Sequence, residues 1–165
     1  MTALVPDAPA PVDLPALHAR MAHGDADAFA QLCTRFESGL WTFVFLLMGD
    51  EKAAREAYCA AWVHAAADTP PDPEHLSYAA WLYGHARQAA LDGLRRLRTP
   101  GRIVSPPTVL DGLPDPQRET FLLREEADLT FREIGIIMNC GRETAHNRFR
   151  LAVAKLGETH GKQAS

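Results

Sequence analysis

The chain has 165 residues, a length that allows one domain of typical size or two small ones. It is 47% hydrophobic and 23% charged, so it can bury a core and is not disordered as a whole. The formal net charge of −4 argues against a protein that coats nucleic acid, because such proteins are usually basic overall. Basic residues are nevertheless concentrated at 92–102 and 142–155, as expected for a protein that touches DNA locally and a protein partner elsewhere.

Several function classes lack the residues that they require. Cys33, Cys59 and Cys140 are isolated and include no CxxC pair, which indicates a reducing cytoplasm and no disulfide framework. The histidines do not have metal-ligand spacing, and there is no glycine-rich phosphate loop, nucleophile elbow or convincing acid pair. We therefore predict no enzyme, no metal, no cofactor and no small-molecule substrate.

The N-terminus shows no sign of export or membrane insertion. It lacks a basic n-region and an apolar h-region, and the longest apolar run, Trp41–Met48, is too short to span a bilayer. These features predict a soluble, cytoplasmic protein. Residues 1–13 are rich in proline and alanine and predict a disordered tail.

Two helices are predicted between residues 14 and 48. A short helix covers 14–22 and ends at His23-Gly24. Asp25 or Asp27 then caps a long helix whose apolar residues keep helical spacing until Gly49-Asp50 ends it. These apolar residues are Phe29, Leu32, Cys33, Phe36, Leu40, Phe43, Val44 and Leu47.

Two further helices flank a proline-rich loop. The helix at 51–67 carries small residues that would let a neighbouring helix approach closely. Residues 68–77, DTPPDPEHLS, predict a loop. The helix at 78–98 ends in arginines, which complement the helix dipole. Residues 99–112 contain prolines and glycines and predict a linker.

The last part of the chain predicts three helices. Asp115 is a good N-cap with Pro116 at the first helical position, and 130–133 (TFRE) is a capping box that starts a second, short helix. Asn139-Cys140-Gly141 predicts a tight turn. In the third helix a single stripe of buried residues is formed by Ala145, Phe149, Ala152 and Leu156.

A short helix, a tight turn and a second helix with basic and amide side chains outward is the helix-turn-helix plan. The second helix could lie in a major groove, where Arg and Asn reach base edges and phosphates. A helical hairpin whose charges are merely solvated fits the local pattern equally well, so the pattern alone leaves both open.

At these residues the chain resembles region 4 of the extracytoplasmic-function class of bacterial sigma factors, in the sigma-70 family. The matches are Leu113-Pro114, Arg118, Glu133-Ile134 and Gly141-Arg142-Glu143-Thr144 followed by Ala145-His146-Asn147-Arg148. His146 and Asn147 stand where the family pattern has Lys and Ser.

The first half resembles region 2 of the same family. The matches are Asp27-Ala28-Phe29, Leu32, Phe36, Gly49-Asp50, Ala54, Trp81-Leu82-Tyr83, Ala86-Arg87, Leu91-Asp92 and Leu94-Arg95-Arg96, with Gln88 where Asn is usual. The segment 54–60 keeps one acid of the family's polymerase-docking segment and loses its Gln. The resemblance covers about residues 25–157 and marks a divergent member.

The resemblance implies an all-α fold of two small helical domains joined by a flexible linker. The region 2-like domain would cover 14–98 and the region 4-like domain 113–157, with 99–112 as linker and 158–165 as a tail. It implies an alternative sigma factor that binds core RNA polymerase and recognises the −10 and −35 promoter elements, with an anti-sigma factor as a further partner.

The resemblance also implies three sets of contact residues. The −35 element would be read by Arg142, Thr144, His146, Asn147, Arg148 and Arg150. The −10 element would be bound and melted by Trp81, His85, Arg87, Gln88, Arg95 and Arg96. Core polymerase would be bound by Lys52, Arg55, Glu56, Cys59 and Val63. Three simpler roles remain open: a core position for Trp81, a solvated helix end for Arg95 and Arg96, and packing along the scaffold helix for Arg148.

Two other functions remain open. A sigma-like decoy would bind an anti-sigma factor without recognising a promoter, and polymerase binding distinguishes it. A helix-turn-helix repressor unrelated to sigma factors would need a dimer and a palindromic site, and no segment predicts a dimerisation helix.

Overall fold

The computed structural model describes residues 12–97 and 109–163, and over these residues the chain is helical and contains no strand. The elements are α1 (Leu14–Ala22), α2 (Ala26–Met48), α3 (Glu51–Ala67), α4 (Tyr78–Leu97), a 3₁₀ turn (Val109–Gly112), α5 (Asp115–Glu125), α6 (Phe131–Ile137) and α7 (Arg142–Gln163). The predicted all-α fold is confirmed, and α1 and α3 have the predicted bounds.

Aspartates start the first three helices. The carboxylates of Asp13, Asp25 and Asp50 each accept a hydrogen bond from a backbone N–H in the first turn of α1, α2 and α3. These bonds satisfy N–H groups that have no partner inside the helix. Gly49 ends α2 in the left-handed region, with φ at 66°, where glycine carries no steric cost.

Helices α1–α4 enclose one apolar core. Leu32, Leu40 and Phe43 of α2 and Leu82 of α4 have no exposed surface. Helix α3 lies against α4, and both present small buried residues to the core: Ala54, Ala57, Ala61, Ala65, Ala86, Ala89 and Ala90. Small residues allow two helix backbones to approach closely, as predicted from 51–67.

Helices α5–α7 form a second, smaller group. Leu122, Leu123, Leu129 and Ile134 are buried, and Ala145 and Ala152 of α7 have no exposed surface. The rings of Phe121 and Phe149 stack with centroids 5.9 Å apart. The two groups touch each other where α5 lies on α2 and α6 lies on α4.

One local prediction is wrong, and two details of the helices were not predicted. Asp115 does not cap α5: Pro114 occupies the cap position, and the Asp115 carboxylate pairs with Arg118 at 2.7 Å instead. Phe29, one of the apolar residues of α2, is 41% exposed, because it lies at the edge of the α2–α3 contact against the Trp62 ring. Helix α7 continues through Gln163, into the predicted tail.

The predicted tail 1–13 and linker 99–112 lie mostly outside the described residues. At the end of the tail, Asp13 caps α1. At the end of the linker, residues 109–112 form a 3₁₀ turn in which Leu110 is buried, so this end is part of the second helical group. The turn is fixed there because Leu110 and Leu113 bury their side chains in the core.

Candidate nucleic-acid interface

The start of α7 presents polar side chains to solvent. Arg142, Thr144, His146, Asn147 and Arg150 are all exposed, while Ala145 between them is fully buried. One face of the helix is therefore fixed in the core, and the opposite face holds most of the residues predicted to read the −35 element.

Helix α6 is positioned by the predicted capping box. The Thr130 hydroxyl accepts a hydrogen bond from the Glu133 N–H at 3.3 Å, and the Glu133 carboxylate accepts one from the Thr130 N–H at 2.9 Å. These reciprocal bonds fix the first turn of the scaffold helix.

The turn between α6 and α7 depends on a close backbone approach. A Cβ atom on Gly135 would lie 2.7 Å from the Cys140 carbonyl oxygen and 3.4 Å from the Arg142 nitrogen. Glycine at this position thus lets the chain fold back tightly enough to place α7 against α6.

Two predicted −35 residues also touch the scaffold helix or the turn. Arg148 is half-buried and donates from Nη1 to the Cys140 sulfur at 3.5 Å. The His146 ring meets the edge of Phe131 with centroids 4.9 Å apart. The sequence left open that Arg148 packs along the scaffold helix; in the structure it contacts the turn that follows this helix, and its DNA contact stays a prediction.

Two arginines that the sequence analysis did not include extend the basic surface. Arg132 on α6 is exposed and lines the same two clefts as Arg142. Arg124 donates to the Leu129 carbonyl at 2.8 Å and lies over the Phe131 ring, 5.5 Å from its centroid. Its place in the capping box at the start of the scaffold helix was the signal that could have identified Arg132. A surface lined by arginines can bind phosphate oxygens.

The aromatic residue predicted at the −10 face is buried. Trp81 is 8% exposed and lies between the imidazoles of His18 and His85, with ring centroids 5.1 and 4.8 Å away. Its ring is therefore not presented as a stacking surface in this structure. The core position that the sequence left open is the one it occupies.

His18 of α1 was missed by the sequence analysis, because a lone histidine in a short helix carries no signal. It is 3% exposed, its Nε2 donates to the Asp68 carbonyl at 3.0 Å, and its Nδ1 lies 3.2 Å from the Tyr78 hydroxyl. The Asp68 carboxylate also lies 3.4 Å from His85 Nε2. Two histidines thus hold the residue that opens the 68–77 loop.

The remaining predicted −10 residues differ in exposure. Arg95 and Arg96 are exposed near the end of α4, and Arg95 and Gln88 both donate to Asp92, at 2.7 and 3.1 Å. Arg87 instead lies inside, paired with Glu119 of α5 at 2.6 Å. The structure therefore separates Arg87 from the exposed arginines of the same helix.

All five predicted polymerase contacts lie on the exposed side of α3: Lys52, Arg55, Glu56, Cys59 and Val63. A cleft of about 780 Å³ lies between α2 and α3; Arg55 and Cys59 line it, and Trp41 and Tyr58 form part of its wall. Arg55 pairs with Glu51 at 2.8 Å and lies 5.9 Å from the Trp41 ring centroid. The cleft offers apolar and charged groups side by side, which is typical of a protein-binding surface.

Protonation of His85 is expected to destabilise the fold at acid pH. Burial lowers the pKa of the His85 imidazole below 6.5, and the nearby Asp68 carboxylate offsets this only in part. The unfolded chain then binds more protons than the folded one, so stability falls as the pH drops below about 6.5. Urea unfolding at about pH 7.5 and pH 5 should show a smaller acid loss in His85→Gln than in the wild type. His75→Gln, at an exposed position, is the control, and an equal acid loss in all three proteins would contradict the expectation.

Comparisons with known proteins found one family that matches the last helices and solved structures that match most of the chain. Residues 107–156 match the family described as Sigma-70, region 4. The structure of CnrH in complex with the cytosolic domain of CnrY is similar, with a TM-score of 0.66 and 23% identity over 91% of this chain and 99% of that one. The sigma factor RpoE of Bartonella quintana, in complex with the anti-sigma factor NepR, is similar with a TM-score of 0.66 and 18% identity over 81% and 96%. No curated protein matches in a sequence comparison.

At these identities the structural likeness establishes the fold, and the region 4 match establishes the family of the C-terminal helices. Among the described residues no helix is long and apolar enough to cross a membrane. The predicted resemblance to region 4 of the sigma-70 family is thus confirmed for residues 107–156, which match that family, and the chain has the fold of the CnrH and RpoE structures.

Proposed function

We propose that this chain is an alternative sigma factor, which binds core RNA polymerase and directs transcription from promoters with particular −10 and −35 elements. The observation that carries the proposal is the exposed polar face of Arg142, Asn147 and Arg150 on the second helix of a region 4 helix-turn-helix. A single arginine that contacts guanine in a bidentate way contributes about 1–3 kcal/mol of discrimination, so a few such residues suffice for a promoter preference.

The −10 contacts are assigned to α4 and the 68–77 loop. Arg95 and Arg96 are exposed and can neutralise phosphates, and Gln88 is exposed about two helical turns before them. Trp81 would have to leave its position between two histidines in order to stack on a base. Base stacking by Trp81 therefore requires a rearrangement, whereas phosphate binding by the two arginines does not.

The polymerase contact is assigned to the exposed side of α3. The segment 54–60 differs from the family pattern in its charges, but it keeps an exposed strip that mixes Lys52 and Glu56 with Val63, which is 65% exposed. A large apolar side chain at that exposure supports a protein contact, because it gains by being covered.

The direct test is transcription by purified core RNA polymerase with the full chain, scored across a genomic promoter library. New start sites preceded by a shared pair of −35 and −10 elements would support the proposal. Polymerase binding without promoter selection, or neither, would contradict it, and absent polymerase binding would favour the decoy.

Replacement of Arg142 by alanine should weaken promoter binding by the polymerase holoenzyme by about 5- to 150-fold, which corresponds to one lost arginine contact of about 1–3 kcal/mol. If the contact is to phosphate, the slope of log affinity against log salt should also fall by about 1. Arg35→Ala, which removes an exposed arginine from α2, is the charge-matched control. Equal affinities of the two variants would remove Arg142 from the interface.

An anti-sigma protein is proposed as the second partner. The support is that the similar CnrH and RpoE structures are complexes with the cytosolic domain of CnrY and with the anti-sigma factor NepR. A protein that forms a stoichiometric complex with this chain and stops its transcription in the purified system would establish the partner. A binder that leaves transcription unchanged would not be one.

A further inference from the structure

A buried ion pair joins the two helical groups. Arg87 Nε of α4 donates to Glu119 Oε2 of α5 at 2.6 Å, and the two side chains are only 19% and 8% exposed. Arg87 Nη1 also donates to the Ile137 carbonyl at the end of α6, at 3.4 Å. The guanidinium that the family resemblance assigns to the −10 element is therefore held by an intramolecular carboxylate.

Three more polar contacts join the same surfaces. The Tyr83 hydroxyl donates to the Glu126 carbonyl at 3.4 Å, and Arg132 Nη1 of α6 donates to the His75 carbonyl of the 68–77 loop at 3.1 Å. Glu133 of α6 accepts hydrogen bonds from Ser77: burial raises the pKa of its carboxyl, but these bonds together with those from Thr130 outweigh burial and lower it. On the side of the first helical group, these contacts are made by α4 and by the loop before it.

The close approach of the groups depends on a glycine in α2. A Cβ atom on Gly39 would lie 2.5 Å from the Tyr83 hydroxyl and 3.0 Å from the Glu126 carbonyl oxygen. Any larger residue at this position would push against both sides of the seam, the surface where the α1–α4 group and the α5–α7 group meet.

We infer that the chain covers part of its own proposed −10 surface: Glu119 occupies Arg87, and the start of α6 holds the end of the 68–77 loop. DNA contact through Arg87 and this loop then requires the two helical groups to separate, whereas Arg95 and Arg96 stay exposed. This inference rests on the proposed sigma-factor function. A carboxylate and a phosphate oxygen accept the same bidentate hydrogen bonds from a guanidinium, so Glu119 and DNA compete for one group.

The seam has the composition of a reversible contact. Its contacts named above are hydrogen bonds and an ion pair between groups that water can solvate again after separation. The attraction within a buried ion pair is largely offset by the loss of hydration of both charges. A ligand that prefers the open form shifts the population toward it.

Glu119→Ala is expected to open the full chain, and Glu125→Ala is its matched control. Both variants remove one glutamate from α5, but Glu125 is exposed and Glu119 is buried against Arg87. Small-angle X-ray scattering should give a larger radius of gyration for Glu119→Ala than for the wild type and Glu125→Ala. Gly39→Ala should act in the same direction without a change of charge.

The effect on DNA is measured by fluorescence anisotropy with a labelled single-stranded DNA of mixed sequence and about 20 nucleotides. If the closed form exceeds the open form tenfold, Glu119→Ala should bind up to about tenfold more tightly than Glu125→Ala, and this limit is reached when the closed form does not bind. Equal radii of gyration would overturn the role of the Arg87–Glu119 pair as a latch that holds the two helical groups together. Equal affinities, including no measurable binding by either variant, would overturn the masking of DNA contacts.

A disulfide across the seam provides a test in the opposite direction. A Cβ atom on Gly84 would lie 3.9 Å from Ile137 Cγ1, so these two positions touch across the seam and are the pair chosen for a cross-link. Gly84→Cys with Ile137→Cys should bind the DNA more weakly when oxidised than when reduced, and the wild type treated alike should not change. No difference between the two redox states of the cross-linked chain would overturn the inference. Promoter-directed transcription by the wild type tests the proposed function separately, since it does not depend on the latch.

Discussion

Replacement of Phe43 by alanine is expected to lower the free energy of unfolding by about 3–5 kcal/mol. Phe43 has no exposed surface, and its ring meets the Tyr83 ring with centroids 5.4 Å apart at the centre of the α1–α4 core. Alanine would remove the apolar contacts and leave a cavity that the surrounding helices cannot close completely.

The matched control for this variant is Phe29→Ala on the same helix. Phe29 is 41% exposed and contacts Trp62 from the edge, so its removal leaves no enclosed cavity. Urea unfolding with linear extrapolation should give a loss less than about half of that for Phe43→Ala. Similar losses for both variants would mean that the core is not centred on Phe43.

Replacement of Gly135 by alanine is expected to destabilise the helix-turn-helix by about 1–3 kcal/mol and to weaken promoter binding. The added methyl group would lie 2.7 Å from the Cys140 carbonyl oxygen. The backbone carbonyl cannot rotate away as a flexible side chain can. Helices α6 and α7 must therefore move apart, which displaces the exposed face of α7.

Gly157→Ala in α7 is the control. No atom would lie within 4 Å of its added Cβ, and alanine in an open helical position stabilises a helix by about 0.8–1.0 kcal/mol relative to glycine. Thermal unfolding should therefore move in opposite directions for the two variants. A Gly135→Ala protein as stable as the wild type would contradict the close approach of α6 and the turn.

The helix boundaries were predictable where short-range chemistry decides them. Asp25 before α2, Gly49 after it and the Thr130–Glu133 box before α6 act through hydrogen bonds to residues four or fewer positions away. Asp115 failed as a predicted cap for the same local reason, because its carboxylate pairs with Arg118 instead. Local patterns decide helix ends only when one partner is available.

Contacts between distant residues were not predictable from one sequence. Arg87 and Glu119 are 32 positions apart and lie in different helices, so neither charge indicates its partner. The burial of Trp81 likewise depends on His18, 63 positions earlier in the chain. Both contacts change the accessibility of predicted DNA-binding residues, which is why a family pattern identifies candidate residues better than it identifies the ones free to act.

The alanine-lined contact between α3 and α4 limits how these two helices can be exchanged between proteins. The buried alanines on both helices leave little space for a larger side chain, and the exposed sides of the helices carry the proposed polymerase residues and the −10 residues Gln88, Arg95 and Arg96. A chimaera that replaces only one of the helices would combine surfaces selected for different interhelical distances. Recombinant promoter specificities should therefore be built by transferring α3 and α4 together with the loop between them as one unit.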